Sequence, residues 1–236
     1  MTTAQPETKT ALVIGATRGI GAATAQRLVH DGYIVAGTHR GNGNVPDGVI
    51  PVELDLTDAA AIKAGFATAL EELGGKLDTL IVSSGITKDG LLLRASEDDI
   101  LEVLRVNTVG PILAAQAALK PMMKRRSGSI VLLSSMSVKY GVAGQTSYTA
   151  SKGAIEAFAR SMAREYAGRG IRVNVVAPGT TDTDMVAAMS DADRDAMIAE
   201  VPMGRLATPD EIADAIVHTS EATYMSGATV SVSGGA

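Results

Sequence analysis

Short runs of aliphatic and β-branched residues alternate along this chain with longer, alanine-rich stretches of helical periodicity, and this restricts the fold more than any other feature. The strand candidates are ALVI from Ala11, YIVAG from Tyr33, VEL from Val52, LIVS from Leu80, SIVLLS from Ser129, RVNVVA from Arg172 and TVSVS from Thr229. Strands apolar on both faces suit a parallel sheet covered by helices on each side. Parallel neighbours require right-handed crossovers. The pattern therefore predicts an α/β fold: a doubly wound, seven-stranded parallel sheet with helices on both faces. One crossover breaks the pattern, because HRGNGNVPDGVI between the second and third strands is rich in Gly, Asn and Pro and predicts a loop. With 236 residues the chain builds one core and has no room for a second full domain. We expect a flexible N-terminal tail over residues 1–10 and a single domain over 11–236.

The first strand runs straight into Gly15-Ala-Thr-Arg-Gly19-Ile-Gly21, followed by a helical stretch to about His30. Glycines at a strand exit let the backbone turn sharply and approach a pyrophosphate, and a helix start offers free N–H groups and a favourable dipole end. This predicts a dinucleotide. An NAD site carries an acid at the end of the second strand, where it accepts from the ribose 2′-hydroxyl and repels a 2′-phosphate. Here that stretch reads Gly37-Thr38-His39-Arg40. Arg40 and Arg18 are positioned by sequence to clamp a phosphate, so the expected cofactor is NADP(H).

Tyr148 and Lys152 open another alanine-rich helix, and a spacing of four puts them on one face. A lysine ammonium there is expected to stabilise the tyrosinate and bring proton exchange toward neutrality. The pair follows the fifth strand, whose carboxyl end carries Ser134 and Ser135, where open α/β sheets bind ligands. Ser135 can donate to a substrate carbonyl while Tyr148 protonates the developing alkoxide. Asn107 precedes Pro111 by four residues; proline has no N–H for the Asn107 carbonyl, which predicts a kink around Gly110-Pro111 and a carbonyl able to hold a water leading from Lys152 to solvent.

Composition removes several alternatives. A net charge of −5 argues against general nucleic-acid binding. There is no cysteine for a disulfide or thiolate metal site, and His30, His39 and His218 lack ligand spacing, so no metal is expected. No secretory apolar segment or bilayer-length run is visible, so a cytoplasmic location without membrane attachment is expected.

Taken together, the glycine turn 15–21, Asp55-Leu56, Asn107, Ser135, Tyr148 with Lys152, and Pro178-Gly179 resemble the short-chain dehydrogenase/reductase family over essentially the whole chain. The resemblance implies a Rossmann-type sheet, an oxidoreductase, and a catalytic set of Asn107, Ser135, Tyr148 and Lys152. It also implies that Lys152 and Tyr148 touch the nicotinamide ribose, Asp55 and Leu56 the adenine, and Pro178, Gly179, Thr181 and Thr183 the nicotinamide side. Thr17, Ile20, His39, Ser84 and Gly85 complete the implied cofactor lining around Gly15, Arg18, Gly19, Gly21 and Arg40.

Within the family, GITKDGLLLR, MMKRRSGSIV, VNVVAPGTTDTDM and VPMGRLATPDEIA are similar to segments of 3-oxoacyl-[acyl-carrier-protein] reductases. That likeness implies reduction of a 3-oxoacyl thioester in fatty-acid synthesis, docking of acyl carrier protein at Arg126 and Arg169, a lid from about Asp182 to Val201, and a homotetramer with the Asn107 and Tyr148 helices at one interface. Two departures stand out: Val82-Ser83-Ser84-Gly85 replaces the family's Asn-Asn-Ala-Gly, and Ser233 stands where an Asp or Asn is usual beside the terminal glycines. A polyketide or aryl-polyene ketoreductase, a reductase of small ketones or quinones, and a non-catalytic NADPH-binding regulator stay open as alternatives.

Overall fold

In a computed structural model that describes residues 7–41, 43–183, 186 and 190–236, β1 (Thr10–Ile14) is buried at every position. Successive side chains of a strand point to opposite faces. Leu12 and Ile14 accordingly enter one apolar cluster and Ala11 and Val13 another. β2 (Ile34–His39), β4 (Thr79–Val82), β5 (Gly128–Leu133) and β6 (Ile171–Pro178) divide in the same way, which is why their sequences are apolar without alternation. With β3 (Val49–Glu53) and β7 (Thr229–Val232) they form a parallel sheet of order β3-β2-β1-β4-β5-β6-β7.

The first cluster is closed by α2 (Ala59–Glu72), α4 (Gly110–Arg125) and α6 (Thr146–Tyr166), through Phe66, Ala115, Ala118, Ile155 and Ala159 among others. Alanine at so many contacts lets α4 and α6 lie close to the sheet. The second cluster is closed by α1 (Gly19–His30), through Ala25 and Leu28, and by a helix near the C-terminus, through Ile212 and Ile216. α3 (Glu97–Leu104) and α5 (Ser137–Tyr140) pack against α6, α7 is Asp191–Ala199, and the C-terminal helix is α8 (Pro209–Glu221). Strand order reverses between β1 and β4, so a crevice opens at their carboxyl ends, the position at which such sheets bind ligands.

Three local features differ from expectation or sharpen it. β3 starts at Val49 rather than Val52 and runs through Pro51; it is an edge strand paired only with β2, so a residue without an N–H is tolerated there. The tail expected over residues 1–10 is in contact with the domain from Glu7, which meets Lys76 and Arg125, and Lys9 reaches Glu221 and Tyr33; residues 1–6 lie outside the described residues. The discontinuity expected at Gly110-Pro111 is a π-helical turn over Arg105–Val109 joining α3 to α4, with the Gly110 N–H donating to the Arg105 carbonyl. No helix bridges β2 and β3 among the described residues.

Candidate active site

The crevice begins with the glycine turn. Gly15 has φ 87°, a left-handed conformation that favours glycine. Its N–H donates to Thr38 Oγ1 at 3.0 Å, which pins the turn to the end of β2. A Cβ on Gly21 would collide with the Gly15 carbonyl oxygen, so the start of α1 packs directly on the turn. Arg18, extended at φ −162°, is the N-cap of α1 and gives it no side-chain cap. The first N–H groups of α1 thus end at the crevice as donors for an anion. A Cβ added to Gly19 would lie 3.4 Å from Thr183, which brings the first and sixth strand loops together.

The remaining residues implied in cofactor binding line the same carboxyl edge. His39 Nδ1 accepts from the Gly41 N–H at 3.1 Å. Arg40 borders a cleft with Pro51, Glu53 and Asp55. Hydrogen bonds from Thr57, and secondarily the Arg40 charge, hold the Asp55 carboxyl below the usual carboxylate range. The Leu56 side chain is buried in the core, so a cofactor can meet only its backbone. Thr17, Ile20 and Ser84 are half-buried at the turn, and Ser84 abuts Gly15. Pro178 accepts from the Met136 N–H at 3.0 Å, Gly179 rests against Ser233, and Thr181 Oγ1 donates to the Gly179 carbonyl at 3.1 Å. Of the expected lid, Asp184, Met185 and residues 187–189 lie outside the described residues.

The expected catalytic residues converge. Ser135 follows the end of β5, and its hydroxyl lies close enough to Tyr148 in the first turn of α6 to favour the tyrosinate. Its Oγ accepts from the Ser137 N–H at 3.2 Å, which leaves its own hydrogen to donate. Lys152 Nζ lies 5.8 Å from the Tyr148 ring centre and donates to the Leu133 carbonyl at 3.0 Å. A Cβ on Gly85 would come within 3.2 Å of Lys152 Nζ and 3.4 Å of Asn107 Oδ1, so these three residues meet in one place.

The electrostatics correct one expectation. Tyr148 is not brought toward neutrality: burial pushes its hydroxyl up, the nearby Ser135 hydroxyl lowers it, and the Asp89 carboxylate pushes it up again. The group near neutrality is Lys152, which burial brings from 10.5 down to about 8. Desolvation of a cation wins here because no carboxylate within ion-pairing distance offsets it among the described residues.

Asn107, fully buried, does more than the sequence suggested. Its Oδ1 accepts from the Ile86 N–H at 2.9 Å, and Nδ2 donates to the Ile86 carbonyl at 2.8 Å and to Ser151 Oγ at 3.1 Å. The side chain is a clamp joining the β4 exit to α6, and only the backbone carbonyl remains for a water. Sequence reasoning missed Ile86, Ser151 and Asp89. Ser151 lies within the Tyr148–Lys152 stretch and could have been suspected, whereas nothing in the sequence links Asp89 to Tyr148.

Arg126 and Arg169 lie elsewhere. Arg126 follows α4 with φ 52° and donates to the Gly168 carbonyl at 2.9 Å, while Arg169 ends the turn that leads into β6. Both precede their strands, so they sit together at the amino edge of the sheet. Ser135 lies past the other end of β5, whose six residues alone span roughly 20 Å at the rise of an extended strand.

A family model described as enoyl-(acyl carrier protein) reductase matches residues 15–236. The chain is 41% identical over 238 residues to the 3-oxoacyl-[acyl-carrier-protein] reductase FabG of Vibrio harveyi, covering 97% of each. It is 38% identical over 229 residues to the 3-oxoacyl-[acyl-carrier-protein] reductase MabA of Mycobacterium tuberculosis, covering 96% of this chain and 92% of that one. The crystal structure of gox2181 matches with a TM-score of 0.92 at 27% identity, over 98% of this chain and 96% of that one.

Proposed function

The chain belongs to the short-chain dehydrogenase/reductase family, and on that premise we propose that it reduces the keto group of a 3-oxoacyl thioester carried on acyl carrier protein to the 3-hydroxyacyl form. The observation that carries this reading is the meeting of Ser135, Tyr148 and Lys152 at the switch point of the sheet, in a chain of 38–41% identity to 3-oxoacyl reductases. A nicotinamide dinucleotide fits the crevice: the uncapped start of α1 meets its pyrophosphate, and Gly85 leaves room beside Lys152 for the nicotinamide ribose. Arg40 and Arg18, with no acid at the end of β2, favour NADPH.

Bound NADPH supplies a hydride to the keto carbon. Ser135 donates a hydrogen bond to the keto oxygen, and Tyr148 gives that oxygen its proton as negative charge develops. The Lys152 ammonium stabilises the tyrosinate and sits near the pH at which it can pass a proton on. A water at the Asn107 carbonyl connects Lys152 to solvent. Arg126 and Arg169 dock the acidic carrier protein, and the segment from Asp182 to Val201 covers the acyl chain. The active form is a homotetramer in the cytoplasm; in support of the assembly, Leu91, Leu92, Leu93, Leu101 and Tyr224 are exposed on the single chain.

The family description names an enoyl reduction, so the decisive assay sets a 3-oxoacyl thioester against a trans-2-enoyl thioester and a small ketone, each with NADPH and NADH. The 3-oxoacyl thioester with NADPH should be turned over fastest. Tyr148→Phe should then lose about 100-fold or more in kcat, the scale of a positioned general acid. Full activity in that variant would remove Tyr148 as the proton donor.

A further inference from the structure

One carboxylate beside the catalytic group has no part in the chemistry above. Glu156 occupies the third turn of α6, on the stripe that carries Tyr148 and Lys152, because residues four apart share a helix face. Its side chain is only 14% exposed, and its cationic neighbour Arg160 is 3.8 Å away and more than half exposed. A carboxylate largely withdrawn from water needs a better partner than that. It has one in Ser134, which is buried and donates its hydroxyl to Glu156 Oε1 at 2.8 Å.

Ser134 lies between two residues already tied to α6. The Leu133 carbonyl holds Lys152 Nζ, and the Ser135 hydroxyl lies beside Tyr148. Three consecutive residues at the exit of β5 thus meet three successive turns of one helix. The Ser135 contact must change when substrate enters, and the lysine contact depends on a long chain whose ammonium also serves the proton path. Ser134 Oγ also lies 3.4 Å from the Lys152 main-chain carbonyl oxygen. Of the two fastenings that take no part in the reaction, the bond to the Glu156 carboxylate, at 2.8 Å, is the shorter and the stronger.

We propose that Glu156, through Ser134, is a positioning residue that fixes the β5 exit against α6 and so sets the distance from Ser135 to Tyr148. This rests on the assignment of Tyr148 and Ser135 to ketoreduction. A carboxylate is suited to the task because it accepts without competing as a donor, and Arg160 keeps it from turning away. Loss of the bond lets the strand exit shift by a fraction of an ångström to an ångström, enough to misalign donor and substrate oxygen while the cofactor site, on the β1 side of the crevice, is undisturbed.

The test compares Ser134→Ala, Glu156→Ala, the double variant and Glu156→Gln, with Tyr148→Phe in parallel. Each alanine variant should lower kcat with the 3-oxoacyl thioester by about tenfold while KM and the Kd for NADPH stay within about twofold, as misplacement of a reacting group requires. The double variant should be no slower than either single one, because both remove the same bond. Glu156→Gln keeps an acceptor oxygen and should restore most of kcat. Unchanged kcat in either alanine variant, multiplied losses in the double, a glutamine variant as slow as the alanine, or a parallel loss of NADPH affinity would each overturn the proposal. Tyr148→Phe separates the two levels: if it stays active the assignment of the donor fails, and if it is inactive while Ser134→Ala is not, only the positioning role fails.

Discussion

Lys152 is 5% exposed, and its ammonium meets a single carbonyl oxygen and no carboxylate among the described residues. Burial lowers it to about 8 from 10.5. Between those values the unfolded chain binds a proton that the folded chain does not, so this group makes stability rise with pH across that window, and below about pH 8 it opposes folding in full. The shift corresponds to about 3 kcal/mol. Lys152→Met should therefore stabilise the protein at pH 7 by about 1–3 kcal/mol, the lower figure allowing for the Leu133 carbonyl left without its donor. Urea unfolding at pH 7 and near pH 10 checks this, because the advantage should fade at the higher pH; a variant less stable than the parent at pH 7 would contradict it. The same titration bears on turnover: kcat/KM should fall above about pH 8 as the ammonium is lost. The pairing of Tyr148 with Lys152 was legible in the sequence because a helix puts residues four apart together. Which of the two titrates near neutrality was not, because that depends on desolvation, and desolvation is set by β5 and the β4 loop rather than by spacing.

At the scale of elements, Gly21 ties the cofactor site to the helix that serves it. With a Cβ there, the start of α1 would have to leave the Gly15 carbonyl, and the N–H groups would no longer converge on one anion. Gly21→Ala should weaken NADPH binding by more than about tenfold, measured by fluorescence titration, while α1 still packs on the sheet through Leu28. Near-normal affinity would show that the pyrophosphate is not held at this turn. The turn, its strand and its helix were readable together, because glycine spacing and apolar periodicity are local. The π-helical turn at Arg105–Val109 was readable only as an interruption near Pro111. Its consequence, the aiming of the Asn107 side chain at the Ile86 backbone, joins segments twenty-one residues apart. No local pattern encodes that contact. The third strand was expected to start at Val52 and starts at Val49; only the order of the sheet shows that β3 is an edge, where Pro51 is tolerated.

For the whole molecule, the relation that governs function is between the two ends of the sheet. The doubly wound architecture was legible because each strand is apolar on both faces, but a sequence does not say which motifs share an edge. Arg126 and Arg169 precede β5 and β6, and Ser135 follows β5, so within one chain the pair proposed to dock the carrier and the proposed catalytic set are separated by the length of a strand. A carrier protein seated on those arginines reaches a catalytic centre most directly if that centre belongs to another copy of the chain. The exposed Leu91–Leu93 turn supports such an assembly, since it adjoins the proposed catalytic crevice through the Gly90 N–H bond to the Gly144 carbonyl, four residues before Tyr148. Subunits carrying Arg126→Glu with Arg169→Glu, and subunits carrying Tyr148→Phe, should each be nearly inactive on a carrier-bound 3-oxoacyl thioester. Unfolded and refolded together in equal amounts, they should regain about a quarter to a half of the parental rate, because mixed assemblies place intact arginines of one copy beside an intact tyrosine of the next. A small ketone, which needs no docking, should be reduced by the arginine variant alone. If mixing restores nothing while both variants still form mixed oligomers by native mass measurement, the carrier must be docked and reduced by the same chain, and its arm must pass around the sheet.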